Sequence, residues 1–250
     1  MGERNAYMKV LHVLAQLPSR TGSGVYYTNI IEGFKKYNYE QRAIFGYQDE
    51  YTWDILDKVR LVFCAKIDPS KGIYELIEVY KSLCLDDVTL DIIGEPNEEN
   101  KDKIKKYIDG DSNIRLYNVK NQEALAHELR EKDIFIMPSY YEGLGLMAIE
   151  SLACGLYVVT TEIEALMTLL GEEIKESGII KYVPLPRIYD TDKPVKEDLP
   201  EFKENLKKAL LSQIEKIRNK EQFQELMEEK VLSFSWEALV DNMNNIIYNI

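Results

Sequence analysis

A chain of 250 residues, 45% apolar and 30% charged with 13 Gly and 8 Pro, can bury the core of about one and a half domains and is not collagen-like, low-complexity or wholly disordered. Its 31 basic residues face 43 acidic ones, and the resulting charge of −12 repels nucleic-acid backbones and anionic lipid at long range. A small anion is still acceptable, because salt screens net charge beyond about 10 Å and a local pocket of lysines and helix N-termini acts inside that distance.

In chain order, residues 8–14 (MKVLHVL) form a short apolar run typical of a strand buried on both faces. A loop containing Gly22-Ser23-Gly24 follows, then a helical spacing of apolar residues over 25–37 and a second strand over 41–45. After a linker, regular alternation begins, with strand 61–64, helix 72–83, strand 89–93, helix 98–108, strand 114–117, helix 122–131, strand 134–137, helix 146–153 and strand 157–160. Strands separated by single helices close only as a mostly parallel sheet with right-handed crossovers. The expected class is therefore α/β, a doubly wound parallel sheet. Beyond Tyr182 the chain is polar and punctuated by Pro184, Pro186, Pro194 and Pro200, and then carries a charged helix over 201–218.

Cys64, Cys84 and Cys154 lie in apolar strings without Cys-x-x-Cys spacing, which reads as buried thiols of a reducing compartment. No apolar run reaches the ~18 residues of a spanning helix, and residues 10–17 lack the flanks of a signal peptide, so the expected location is cytoplasmic. Two distant histidines, His12 and His127, cannot build a histidine metal cage. Asp109-Gly-Asp111 and Asp190-Thr-Asp192 read as turn chemistry rather than metal ligands, and no metal is expected.

The richest stretch is 137–155, MPSYYEGLGLMAIESLACG, with a carboxylate just after a buried strand and Gly143-Leu144-Gly145 just before a helix. Open α/β sheets bind ligands at the carboxyl ends of their strands. The amides of Gly143, Leu144, Gly145 and Leu146 open toward that rim, at a helix end that carries about half a positive charge and suits phosphate. Glu142 and Glu150 stand eight positions apart, where both can face one cleft, and Ile149 and Leu152 beside Glu150 suggest a buried carboxylate needing a partner.

This string resembles the Glu-x7-Glu element of family 4 glycosyltransferases, retaining enzymes of the GT-B fold. The resemblance takes in Lys71-Gly72, Ile93-Gly94, Pro138-Ser139, Ala153-Cys154-Gly155 and Phe234-Ser235-Trp236-Glu237, well over 59–183 and weakly over 8–45. It implies that Lys66 and Lys71 clamp the diphosphate of a nucleotide sugar while the amides of Leu144 to Leu146 hold a phosphate oxygen. It further implies that Glu142 meets sugar hydroxyls, Glu150 takes the ribose diol, and Gly94 with Val119 lines the nucleotide pocket. Gly24 stands in a loop similar to the family's first Gly-rich loop. No cofactor is implied beyond the donor itself, since cations and amide dipoles can stabilise the departing diphosphate.

The chain departs from the pattern at Ala65-Lys66, where the family has Gly-Arg, and an ammonium lacks the forked grip of guanidinium. Thr161-Glu-Ile-Glu-Ala-Leu replaces a Gly-Gly turn and its glutamate, and neither histidine matches the one the family places near the donor sugar. The implied organisation is a truncated βαβ acceptor-side remnant over 1–58, a donor-binding domain over 59–184, and C-terminal helices over 185–250 packing back on the N-terminal part. The implied function is retaining transfer of a hexosyl group from a nucleoside diphosphate sugar to a hydroxyl acceptor, glycan or lipid-linked, in cell-surface polysaccharide or glycan synthesis. The rival reading is a non-catalytic nucleotide-sugar-binding module or inactive fragment; a Rossmann oxidoreductase using Gly22-Ser23-Gly24 is a further rival, although Tyr27 breaks its Gly-x-Gly-x-x-Gly spacing. Membrane association would be peripheral at most, and the uncovered N-terminal strand edges leave room for a homo-oligomer.

Overall fold

Strands that are apolar on both faces need helices above and below them, and the computed structural model has that architecture. It describes residues 9–14, 40–45, 58–219, 231 and 233–234. The chain divides into two compact units, Met1–Lys58 and Val59–Ile250. In the first, β1 (Lys9–Leu14) and β2 (Glu40–Phe45) pair in parallel, Lys9 opposite Glu40 and Leu14 opposite Phe45. The helix expected over 25–37 and the loop with Gly24 lie outside the described residues.

The second unit runs β3 (Val59–Cys64), α1 (Ile73–Leu83), β4 (Val88–Ile93), α2 (Glu98–Ile108), β5 (Ile114–Tyr117), α3 (Gln122–Arg130) and β6 (Ile134–Met137). It continues with α4 (Leu146–Ala153), β7 (Tyr157–Thr161), α5 (Glu164–Ser177), β8 (Ile180–Val183), the small hairpin β9 (Ile188–Tyr189) and β10 (Lys193–Pro194), and α6 (Leu199–Arg218). Six strands form one parallel sheet in the order β5-β4-β3-β6-β7-β8. Right-handed crossovers put α1 and α2 on one face and α3, α4 and α5 on the other. The helix expected over 201–218 forms as α6, and it packs on α1, β7 and β8 of this same unit.

The core follows from the pattern. Every residue of β6 and β7 is buried, and α1 turns Ile73, Leu76, Ile77, Tyr80 and Leu83 inward at helical spacing. Each such side chain contributes about 1.5–3 kcal/mol by leaving water. Absent from the sequence reading of this unit are α5, bent at Gly171 (φ 76°, ψ 172°), β8, and the small β9–β10 hairpin. The reading of three buried thiols is also corrected. Cys64 and Cys154 are half-buried, but Cys84 is exposed, because it caps the end of α1 in the left-handed region and leaves the helix's inward face.

Candidate functional site

The sheet order reverses between β3 and β6: the chain leaves β3 toward β4 on one side, while β6 leads to β7 on the other. The two outgoing loops therefore diverge and leave a crevice at the carboxyl rim. Close packing fixes them. Gly72 has φ 65°, and a Cβ there would stand 2.1 Å from the Pro138 carbonyl oxygen. The Tyr140 amide donates to the Ser70 carbonyl at 2.9 Å, and the hydroxyls of Thr160 and Thr161 donate to the Met137 and Ser139 carbonyls at 3.1 and 2.7 Å. Asp68 accepts from the Ser70 amide and hydroxyl. Partial burial opposes charge on Asp68, but those bonds, with Lys66 and Lys71 nearby, outweigh it and hold the carboxyl below its ordinary range.

A cavity of about 330 Å³ occupies the crevice. Cys64, Ala65 and Met137 contribute to its wall from the strand ends, Lys71 and Glu142 from the loops, and Leu144, Gly145, Leu146 and Met147 from the mouth of α4. Lys71 Nζ lies 2.8 Å from Glu142 Oε1 and 3.5 Å from the Tyr141 carbonyl. Gly145 (φ 78°) opens α4 with no side-chain cap, so the first amides of the helix lack the partner a capping side chain supplies. The arrangement offers one ammonium, one carboxylate and a positive helix end around a mostly apolar hollow, which suits an anionic ligand bearing hydroxyls.

The structure thus brings Lys71, Glu142, Leu144, Gly145 and Leu146 to one place. The other described candidates do not line this cavity. Lys66 is exposed and does not line the cavity. Gly143 is exposed, with open space about its α-carbon. Gly94 has a packing reason of its own, since a Cβ there would meet the Ala65 carbonyl oxygen at 2.0 Å. Val119 is half-buried, its amide held by the Asn118 side chain at 2.9 Å. Glu150 is exposed, which corrects the inference of a buried carboxylate. Its surroundings still push its carboxyl up by partial burial, and its charge helps raise the Cys64 thiol, after burial itself, to about 11. Glu150 therefore stands near a wall residue of the cavity without lining it. Cys64, Met137 and Met147 are lining residues that the sequence reading did not assign; their signal was position alone, at strand ends and a helix start.

Asp109-Gly-Asp111 lies in the turn around Gly110 (φ 75°), and Asp190-Thr-Asp192 in the β9–β10 turn, where Asp190 and Thr191 have positive φ. Among the described residues, no group of three His, Cys, Asp or Glu converges on a point, and no helix is long and apolar enough to cross a membrane.

The family described as glycosyl transferases group 1 matches residues 53–184. An uncharacterized 41.2 kDa protein in the cps region of Klebsiella pneumoniae is 27% identical over 116 residues, 46% of this chain and 31% of that protein. D-inositol 3-phosphate glycosyltransferase of Geodermatophilus obscurus is 28% identical over 136 residues, 50% of this chain and 30% of that one. Among solved structures, the pneumococcal O-GlcNAc transferase GtfA in complex with UDP and GlcNAc shares the fold, with TM-score 0.51 and 14% identity over 96% of this chain and 45% of that one. The matches span under a third of the length of the two curated relatives.

Proposed function

The chain belongs to the glycosyl transferases group 1 family, and from that premise we propose that it binds a nucleoside diphosphate sugar in the switch-point cavity and transfers the hexosyl group to a hydroxyl acceptor with retention. The observation that carries this reading is the sharing of one cavity by Lys71, Glu142 and the uncapped start of α4. In this reading Lys71 and the α4 amides hold the diphosphate, joined by Lys66 as the donor binds, and Glu142 accepts from sugar hydroxyls. Glu150 takes the ribose diol. As the bond from the sugar's anomeric carbon to the diphosphate breaks, charge grows on the departing phosphate, and preplaced ammonium and amide dipoles stabilise it. That assignment calls for no further cofactor.

The complex of a relative, the pneumococcal transferase, with UDP and GlcNAc supports a nucleotide-sugar donor, and the Klebsiella pneumoniae relative in a cps region supports a role in surface polysaccharide assembly. Three free cysteines accord with the cytoplasm as the place of action.

Calorimetry of the whole chain with nucleoside diphosphates, joined to a donor-hydrolysis screen across nucleotide sugars, tests the proposal. Binding is expected, and Glu150→Ala should weaken it by about 1–3 kcal/mol through loss of a charge-assisted hydrogen bond. Undiminished binding by that variant displaces the ribose site. Binding without turnover in any donor makes the chain a non-catalytic module, and absence of binding overturns the reading.

A further inference from the structure

Among the described residues lining the cavity, Lys71 is the only cation and Glu142 the only anion, and they are bonded to each other at 2.8 Å. Neither is free to turn fully to water: their side chains are 25% and 21% exposed. The backbone beside Lys71 is fixed by the turn at Gly72, where an added Cβ would stand 2.1 Å from the Pro138 carbonyl oxygen, so the lysine stem starts from a set point next to Glu142. A phosphate that enters competes with Glu142 for Lys71, whose three N–H donors must then serve two anions or be drawn from one to the other. Either way one cation is left to neutralise a carboxylate and a phosphate side by side, and the two like charges repel. A ligand carrying hydroxyls next to its phosphate removes that cost, because a hydroxyl can donate to Glu142 in place of Lys71.

We propose that Glu142 makes this site select the sugar-bearing form of its ligand over the free diphosphate, by reclaiming Lys71 whenever no hydroxyl occupies its carboxylate. The inference rests on the reading of the cavity as a nucleotide-sugar site and adds a residue that decides specificity within it. A consequence concerns release. Once the sugar has departed, Glu142 again competes for Lys71 and loosens the remaining diphosphate.

The test is calorimetry of the whole chain with inorganic pyrophosphate, and with UDP, GDP and ADP each with and without attached glucose. Glu142→Gln keeps the shape and removes the charge. It should bind pyrophosphate about fivefold more tightly than the parent, the size of a surface-to-half-buried ion pair. Its preference for the glucose-bearing diphosphate over the free one should fall at least tenfold. Glu142→Ala should tighten pyrophosphate as well, and Lys71→Ala should weaken it in both backgrounds. Pyrophosphate bound no more tightly by either Glu142 variant, or an unchanged preference for the glucose-bearing form in Glu142→Gln, overturns the inference while leaving the nucleotide-sugar reading in place. A parent protein that binds none of these probes overturns both.

Discussion

On the β4–β5 flank of the sheet, α2 and α3 begin under Asn97 and Asn121, whose side chains accept from the Asn100 and Ala124 amides at 2.9 and 2.8 Å. At the switch point, α1 and α4 begin at Gly72 and Gly145 without any side-chain cap. The same contrast runs through the charges. Asp91, a buried residue of β4, accepts from Arg115 at 2.7 and 2.6 Å and from Lys132 at 2.7 Å, while Tyr117 donates to Glu128 at 2.8 Å. At the switch point a single ion pair, Lys71–Glu142, lies open to a cavity. One flank consumes its polar groups internally and converts them into stability; the other leaves them unspent, which costs stability and keeps them for a ligand.

The comparison breaks first at Asp91. Replacing it with Asn leaves the buried Lys132 only its longer pair with Glu128, at 3.5 Å, and breaking a buried pair costs up to about 3–5 kcal/mol, read as a lower urea midpoint. Nucleotide affinity per folded molecule should not change. The pH dependence sharpens the point. Burial opposes the charge on Asp91, but Arg115 and Lys132 outweigh it and hold its carboxyl below the ordinary value, which is about 3.9 in an unfolded chain. Its contribution is therefore complete above about pH 4 and is lost as pH falls through the lower folded value. The stability gap between parent and Asp91→Asn should narrow below pH 4; a gap that stays constant in acid shows that the pairing is not its source.

Gly72→Ala attacks the other side. The left-handed backbone costs a side chain about 1–2 kcal/mol, and the new Cβ, 2.1 Å from the Pro138 oxygen, must also push the two loops apart. A loss of about 2 kcal/mol or more is expected, together with loss of nucleoside diphosphate binding in titrations. Gly110→Ala provides the control, because Gly110 also has positive φ but nothing within 4 Å of the added carbon. That variant should cost about 1 kcal/mol and bind as the parent does. Equal binding by both variants means that the loop contact does not shape the cavity.

How much of this was legible in the sequence depended on how local the signal was. The bounds of α2, β5, β6 and α4 match the sequence reading, because apolar runs and helical spacing mark them locally. In α5, Leu166, Leu170 and Ile174 do recur at helical spacing, but Gly171 interrupts the run and bends the helix, so the pattern does not announce itself. The site was legible where strand, glycine and helix start follow one another, at Lys71-Gly72 and Glu142 to Leu146. The burial of Glu150 was misjudged because sequence neighbours on a helix point about 100° apart: half-buried Ile149 says little about the residue beside it, which is exposed. The pairing of Lys71 with Glu142, 71 positions apart, has no local trace at all; it depends on β3 and β6 being neighbours, a fact of topology.

The smallest predicted effect tests whether the two flanks are independent. Asn121→Ala removes only the bond to the Ala124 amide, and such caps are worth about 1 kcal/mol. Because α3 starts on the flank where polar groups are already satisfied, the loss should appear in urea melts and nowhere in ligand titrations. Distant sites without shared partners add within about 0.5 kcal/mol, so combining Asn121→Ala with Lys71→Ala should sum in stability and bind no worse than Lys71→Ala alone. An affinity change in the single Asn121→Ala variant would mean that the capped flank reaches the cavity through the sheet, and the division between a stabilising side and a binding side would fail.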